Sequence, residues 1–123
     1  MTQWPEEYPT TILGPGVEVP AKSGGRKGRK PQELSWIDPR VLLKLGEVAR
    51  HGADKYEDGN NYRRGYNWSL SFNAAQRHAL QFWDGEDLDD ESGLPHVLHA
   101  AWHYLALASF MMRNVGNDDR FKE

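Results

Sequence analysis

From Leu94 to Asn114 the chain carries no acidic residue, and no basic one before Arg113. Wound as a helix, this segment places Val97, Leu98, Ala101, Trp102, Tyr104, Leu105, Leu107, Phe110, Met111 and Met112 around nearly its whole circumference. It has no ordinary solvent face and is expected at the centre of the fold. At about 100° per residue, His96, His99 and His103 fall within one stripe roughly 60° wide. A buried imidazole without a partner costs roughly 1–3 kcal/mol, so the stripe demands hydrogen-bond acceptors or a metal ion. The acidic loop Glu86 to Glu91 is the nearest source of such partners. Ser92 to Pro95 reads as a helix start, with Ser92 as N-cap and Glu91 beside the positive end of the helix.

Two further helices are expected. Asp38-Pro39 is an N-cap followed by proline at the first helical position. Val41, Leu42, Leu45, Val48 and Ala49 then repeat at helical spacing, and Gly52 supplies a stop. Lys44, Glu47 and His51 fall on the far side, read as a solvated face or else as part of a site shared with another subunit. The second helix runs from Ser69 or Ser71 to Trp83, with Phe72, Ala75, Ala79, Leu80 and Trp83 towards one side and His78 at its border. A turn through 84–93 folds it back on the third helix and brings His78 near His96 and His99. The expected class is all-α: a three-helix core, made of an antiparallel helical hairpin plus an N-terminal helix. Some eighty ordered residues bury little core, and a helix apolar all round needs more neighbours than one chain supplies. Completion of the bundle as a homodimer or homotetramer is therefore expected.

The expected organisation is a Pro/Gly-rich and basic arm over 1–33, a helical domain over 34–114 and a polar tail over 115–123. The arm holds five of the seven prolines and a flexible basic tract, Lys22 to Lys30, in which Arg26, Lys27, Arg29 and Lys30 are candidates to close over an anion. Trp4, Tyr8, Ile12 and Leu13 give it something to dock with. A net charge of −3 creates no field that would draw the chain to a nucleic acid polymer or an anionic membrane. There is no cysteine, hence no disulfide or thiolate zinc site, and no secretory pattern at the N-terminus. A cytoplasmic location is expected. Ala53 to Trp68 combines two glycines and three asparagines with Tyr56, Tyr62, Tyr66 and Trp68 beside Lys55, Arg63 and Arg64. Such rings and cations suit stacking on a base and gripping phosphate, or equally a small core that shapes the loop.

His78, Glu86, Asp89, Glu91, His96 and His99 form a credible ligand set for a divalent metal. Imidazole nitrogens with carboxylate oxygens suit Zn, Mn, Fe or Ni, whereas carboxylates alone favour Mg or Mn. His96 and His99 as an HxxH pair are a weak motif by themselves, and a metal-free buried network with Glu86 or Asp89 is the alternative. No serine or cysteine nucleophile signature, P-loop or GxGxxG is present.

Gly52-Ala53, Lys55-Tyr56, Asn61-Tyr62, Arg77-His78 and the run Gly85-Glu86, Asp89, Glu91-Ser92-Gly93, His96, His99, Trp102 together resemble the phage and bacterial dATP/dGTP diphosphohydrolase N-terminal family, related to the MazG-like all-α NTP pyrophosphohydrolases. The resemblance spans about residues 34–114. It implies metal-dependent hydrolysis of dATP or dGTP to the monophosphate and pyrophosphate by an α-helical homo-oligomer, in the host cytoplasm if phage-encoded. Carried onto this chain, it makes Glu86, Glu91, His96 and His99 the first choices for ligands or base, with His78 and Asp89 next. Lys55, Arg63 and Arg77 become candidates to hold phosphates, and Tyr56, Asn61 and Tyr62 to hold the nucleoside. One departure stands out. MazG-like enzymes hold Mg²⁺ with ExxE and ExxD pairs, and this chain has His78 and His96xxHis99 in their place. Mn²⁺ or Mg²⁺ bound by His and loop carboxylates is one consequence; a nucleotide-binding module or sponge without turnover is the other.

Overall fold

The computed structural model describes residues 17–20 and 22–123. The docking groups expected at Trp4, Tyr8, Ile12 and Leu13 lie outside the described residues. Three helices make up the core: α1 (Pro39–Tyr56), α2 (Trp68–Trp83) and α3 (His96–Arg113). This is the expected all-α core. α2 and α3 pair antiparallel, since the Trp68 indole NH donates to the Val115 carbonyl at 3.0 Å near one end and His78 meets His96 at the other. α1 packs across α3.

α1 begins as its sequence dictates, with the Asp38 carboxylate accepting from the Arg40 NH at 2.9 Å and Pro39 at the first position. It does not stop at Gly52. A mid-helix glycine costs only about 1 kcal/mol, and Ala53, Asp54 and Lys55 carry the helix onward, helped by the Arg50–Asp54 ion pair at 3.2 Å. The helix ends when Glu57 turns left-handed at φ 58°. Lys55 and Tyr56 therefore form the last turn of α1, one turn beyond His51. The Asp58 carboxylate then accepts from the Asn60 NH at 2.9 Å and pairs with Arg64, fixing the short 3-10 turn Asn61–Arg64.

α2 starts at Trp68, and the segment expected to be a polar tail supplies its cap. The Trp68 NH donates to the Asn117 carbonyl at 3.0 Å. The Ser69 NH donates to Asp119 Oδ1 at 2.9 Å while its hydroxyl bonds the other carboxylate oxygen. A carboxylate at a helix N-terminus satisfies otherwise orphaned NH groups and complements the dipole. The tail can dock because Gly65 and Gly116 both have positive φ, and a Cβ on Gly65 would stand 2.6 Å from the Gly116 Cα. Only glycine meets both requirements there.

α3 begins at His96, later than the apolar run suggested. Gly93 is left-handed at φ 71°, and the main chain pairs Leu88 with Pro95 before the helix starts. Ser92 consequently is not the N-cap. Its hydroxyl donates to Asp89 Oδ2 at 2.9 Å and accepts from the Leu94 NH at 3.2 Å, which ties the loop rather than the helix.

Among the described apolar residues only Val48, Ala75, Ala100, Ala106 and Phe110 are buried. The alanines let α2 and α3 approach closely, and Phe110 closes the far end edge-on to Tyr66 at 5.0 Å. Leu80, Trp83, Val97, Tyr104 and Leu105 remain exposed. Upstream, β1 (Val17–Pro20) and β2 (Arg26–Arg29) pair antiparallel, Val17 opposite Arg29 and Pro20 opposite Arg26. The basic tract read as flexible is thus partly a hairpin strand, its turn made by Gly24 at φ 86°. It is anchored where Arg29 pairs with Glu33 at 2.6 Å and lies over Trp36. Among the described residues, no helix is long and apolar enough to cross a membrane.

Candidate functional site

All five histidines of the chain belong to one connected group. His78 on α2 lies against three imidazoles of α3: His96 at 5.1 Å between ring centroids, His99 at 4.5 Å and nearly parallel, and His103 at 6.3 Å. His51 on α1 meets His99 edge-on at 5.9 Å. The small residues Ala75 and Ala100 leave space for the rings between the helices.

The deepest part of the group is buried. His78 and His96 are 5% and 0% exposed. Their Nδ1 atoms are 2.8 Å apart, and His96 Nε2 is 2.7 Å from Glu86 Oε2. Asp89 joins them: His78, Asp89 and His96 each offer a donor atom, all within 4.8 Å of one another. Two imidazoles and a carboxylate suit Mn, Zn or Fe, and fit Mg less well. Glu86 stands behind His96, accepting from its Nε2 side, which is the arrangement that turns a histidine's other nitrogen towards a metal. The residues present therefore fit a divalent ion held by His78, Asp89 and His96, with Glu86 orienting one ligand.

His99 is fixed differently. Ser92 Oγ donates to Asp89, so it accepts from His99 Nε2 at 2.7 Å. His99 Nδ1 is then the unprotonated nitrogen. Glu91, expected among the ligands, instead reaches to α1, with Oε1 3.6 Å from both His51 Nε2 and Lys55 Nζ. It bridges the acidic loop to α1 at the rim.

Beside this group lies a cavity of about 430 Å³ between α1, the 57–67 loop and the α2–α3 pair. Lys55, Tyr56, Asn61, Tyr62, Arg77, His78, Asp89, Glu91 and His99 all line it. Arg63 does not; its guanidinium lies over the Tyr62 ring at 5.9 Å instead. Glu86 and His96 stand behind the wall. His51, Ser71, Trp102 and His103 line the cavity as well, although the sequence put His51 on a solvated face, named His103 and Trp102 without assigning them to the site, and gave no role to Ser71. His51 was legible as the residue one turn before Lys55 once the helix is known to run through Gly52. Ser71 stands two turns before His78 on the same face of α2, a spacing that could have singled it out.

Burial pushes His78 and His103 down to about 4, the proximity of His99 and Arg77 adding to the effect. Burial also lowers His99, partly opposed by Asp89. These rings stay neutral in the fold at pH values where an unfolded chain, with histidines near 6.5, takes up protons. The unfolded state binds more protons between pH 6.5 and 4, so stability is complete above that window and is lost as the pH falls through it. The thermal midpoint should drop steadily from pH 6.5 to 4.5, and His103→Gln should flatten the slope. A midpoint independent of pH over that range would contradict the assignment.

Residues 21–120 match the family described as dATP/dGTP diphosphohydrolase, N-terminal. The chain belongs to that family. A relative from Salmonella phage PMBT28, named dATP/dGTP diphosphohydrolase, is 33% identical over 94 residues. That match covers 76% of this chain and 31% of the relative, so the chain corresponds to under a third of the longer protein. No solved structure matches the chain significantly. The family match takes in Gly65, the α2–α3 hairpin and the docked segment through Arg120, so the elements that shape the cavity fall within it.

Proposed function

We propose that the chain hydrolyses a purine deoxynucleoside triphosphate, dATP or dGTP, to the monophosphate and pyrophosphate with the help of a divalent metal ion. The observation that carries this reading is the convergence of His78, Asp89 and His96, of which His78 and Asp89 line a nucleotide-sized cavity and His96 stands just behind its wall. A divalent ion bound there would neutralise phosphate charge and lower the pKa of a water molecule. Lys55 and Arg77 bring positive charge to the same cavity and would hold the phosphates. Tyr62 and Trp102, edge to face at 5.1 Å, and Tyr56 give the purine aromatic walls. His99 is the best-placed proton acceptor: Ser92 fixes its Nε2 hydrogen, leaving Nδ1 with a lone pair, and burial keeps the ring neutral at pH 7. Attack of the water oxygen on phosphorus would break the bond to pyrophosphate as the water proton passes to that nitrogen. Incubating the protein with each deoxynucleoside triphosphate and Mn²⁺ or Mg²⁺, then separating products, tests the reading. Monophosphate and pyrophosphate from the purine nucleotides are expected; nucleotide binding without any product would instead support a sponge.

We further infer that the working unit is a homodimer or homotetramer. Leu80 and Trp83 on α2 are 66% and 84% exposed, Val97 and Tyr104 on α3 are exposed as well, and none of the four lines the cavity. Large apolar side chains left open on both helices of the hairpin are suited to burial against a second copy. Leu80→Lys combined with Trp83→Glu should convert the assembly to monomers in light scattering. Wild-type protein already monomeric at micromolar concentration would overturn the inference.

A further inference from the structure

Tyr66, Ser71 and His103 are not used by the chemistry above, yet all three line the cavity. They form a continuous hydrogen-bonded strip, with Tyr66 OH 2.5 Å from Ser71 Oγ and Ser71 Oγ 3.0 Å from His103 Nδ1. Ser71 is completely buried. His103 Nε2 has no hydrogen-bond partner among the described residues, although its ring stands in the cavity wall beside Trp102. Along α3, His103 is four residues beyond His99, a rise of about 6 Å, and its ring is 6.3 Å from that of His78.

We propose that His103, held in place by Ser71 and Tyr66, recognises the 3′-hydroxyl of the nucleotide's deoxyribose. This rests on the nucleotide reading above and assigns it a further specificity-determining group. Two observations carry the choice of ligand. The first is position: a sugar is separated from its first phosphate by one oxygen and one methylene. With phosphates at the level of His78, Asp89 and His99, the sugar falls one helical turn along the groove, at His103. The second is chemistry. The hydrogens of the Tyr66–Ser71–His103 strip can run in either direction, leaving Nε2 a donor in one and an acceptor in the other. A hydroxyl both donates and accepts and matches either arrangement, whereas a phosphate oxygen only accepts and matches one.

The test compares dGTP with 2′,3′-dideoxy-GTP, and dATP with its dideoxy analogue, by initial rates and by calorimetric binding with Mn²⁺. Wild type should favour the hydroxyl-bearing nucleotide by about tenfold in KM, the value of one well-made hydrogen bond. His103→Asn keeps an amide where Nδ1 bonds Ser71 but removes the group at Nε2. It should lose the preference while handling the dideoxy nucleotide as wild type does. His103→Gln, which restores a polar atom near the Nε2 position, should regain part of it. Equal treatment of the two sugars by wild type, or a preference surviving in His103→Asn, overturns the proposal and leaves the hydrolase reading standing. Wild type that neither binds nor cleaves any of the four nucleotides overturns both.

Discussion

Asp89→Asn should leave the protein folded and reduce both metal affinity and metal-supported pyrophosphate release by at least about a hundredfold. Replacing groups that merely orient a ligand costs 10–100-fold, and loss of a charged ligand costs more. The Asp89 carboxyl is half-buried. Burial works against its charge, but the Ser92 NH and hydroxyl, each at 2.9 Å, and His99 hold it below the usual carboxylate range. Asparagine keeps the shape and one accepting oxygen, so the loop stays tied, while the negative charge facing His78 and His96 is gone. Glu86→Gln provides the contrast. It stands behind His96 and does not line the cavity, so the expected loss is about 10–100-fold in metal affinity with the nucleotide sites intact. Isothermal titration with Mn²⁺ and rate measurements on both variants check the pair. A fully active Asp89→Asn protein would remove it from the metal site.

Phe110→Ala should cost about 3–5 kcal/mol of stability, the range for deleting a buried aromatic ring. Phe110 is 1% exposed and the largest fully buried side chain among the described residues. Its ring supports Tyr66, which in turn supports Ser71 and His103. The same helix turn ends at Asn114 in the left-handed conformation, from which the Val115–Arg120 segment returns to cap α2. The substitution should therefore loosen the capped end of α2 as well as open a cavity. Chemical denaturation should show the lowered midpoint, and hydrogen exchange should show faster amides at Trp68 and Ser69. Unchanged stability would mean that the Phe110 contact is dispensable to the fold.

The helices were legible because their signals are local. Asp38-Pro39 starts α1 in sequence as in structure, and the 3.6-residue spacing places the bodies of α2 and α3, though not their first residues. The antiparallel hairpin followed from the short turn between them, and with it the meeting of His78 with His96. What was not legible depends on long-range partners. Gly52 reads as a stop because glycine often follows a helix, but nothing in its neighbourhood ends α1 there. The residues that do end it, Glu57 and Asp58, act through a left-handed turn and an ion pair with Arg64. The cap of α2 by Asp119 spans fifty positions and has no local signature. Within the site, the residue types were visible but their division of labour was not. Asp89 and His78 meet His96 in space, whereas Glu91, two positions from Asp89, reaches to Lys55 instead. The histidines of one stripe on α3 meet three different partners over two turns: Glu86 at His96, Ser92 at His99 and Ser71 at His103.

The most direct test is the initial rate of pyrophosphate release from dGTP and dATP as Mn²⁺ is titrated into metal-free protein, for wild type and His96→Ala in parallel. The proposed site predicts a wild-type rate that rises from near zero, saturates with metal and is abolished by chelator, with His96→Ala showing no saturable rise. A wild-type rate indifferent to metal and chelator, or no pyrophosphate from either nucleotide at any metal concentration, would contradict it.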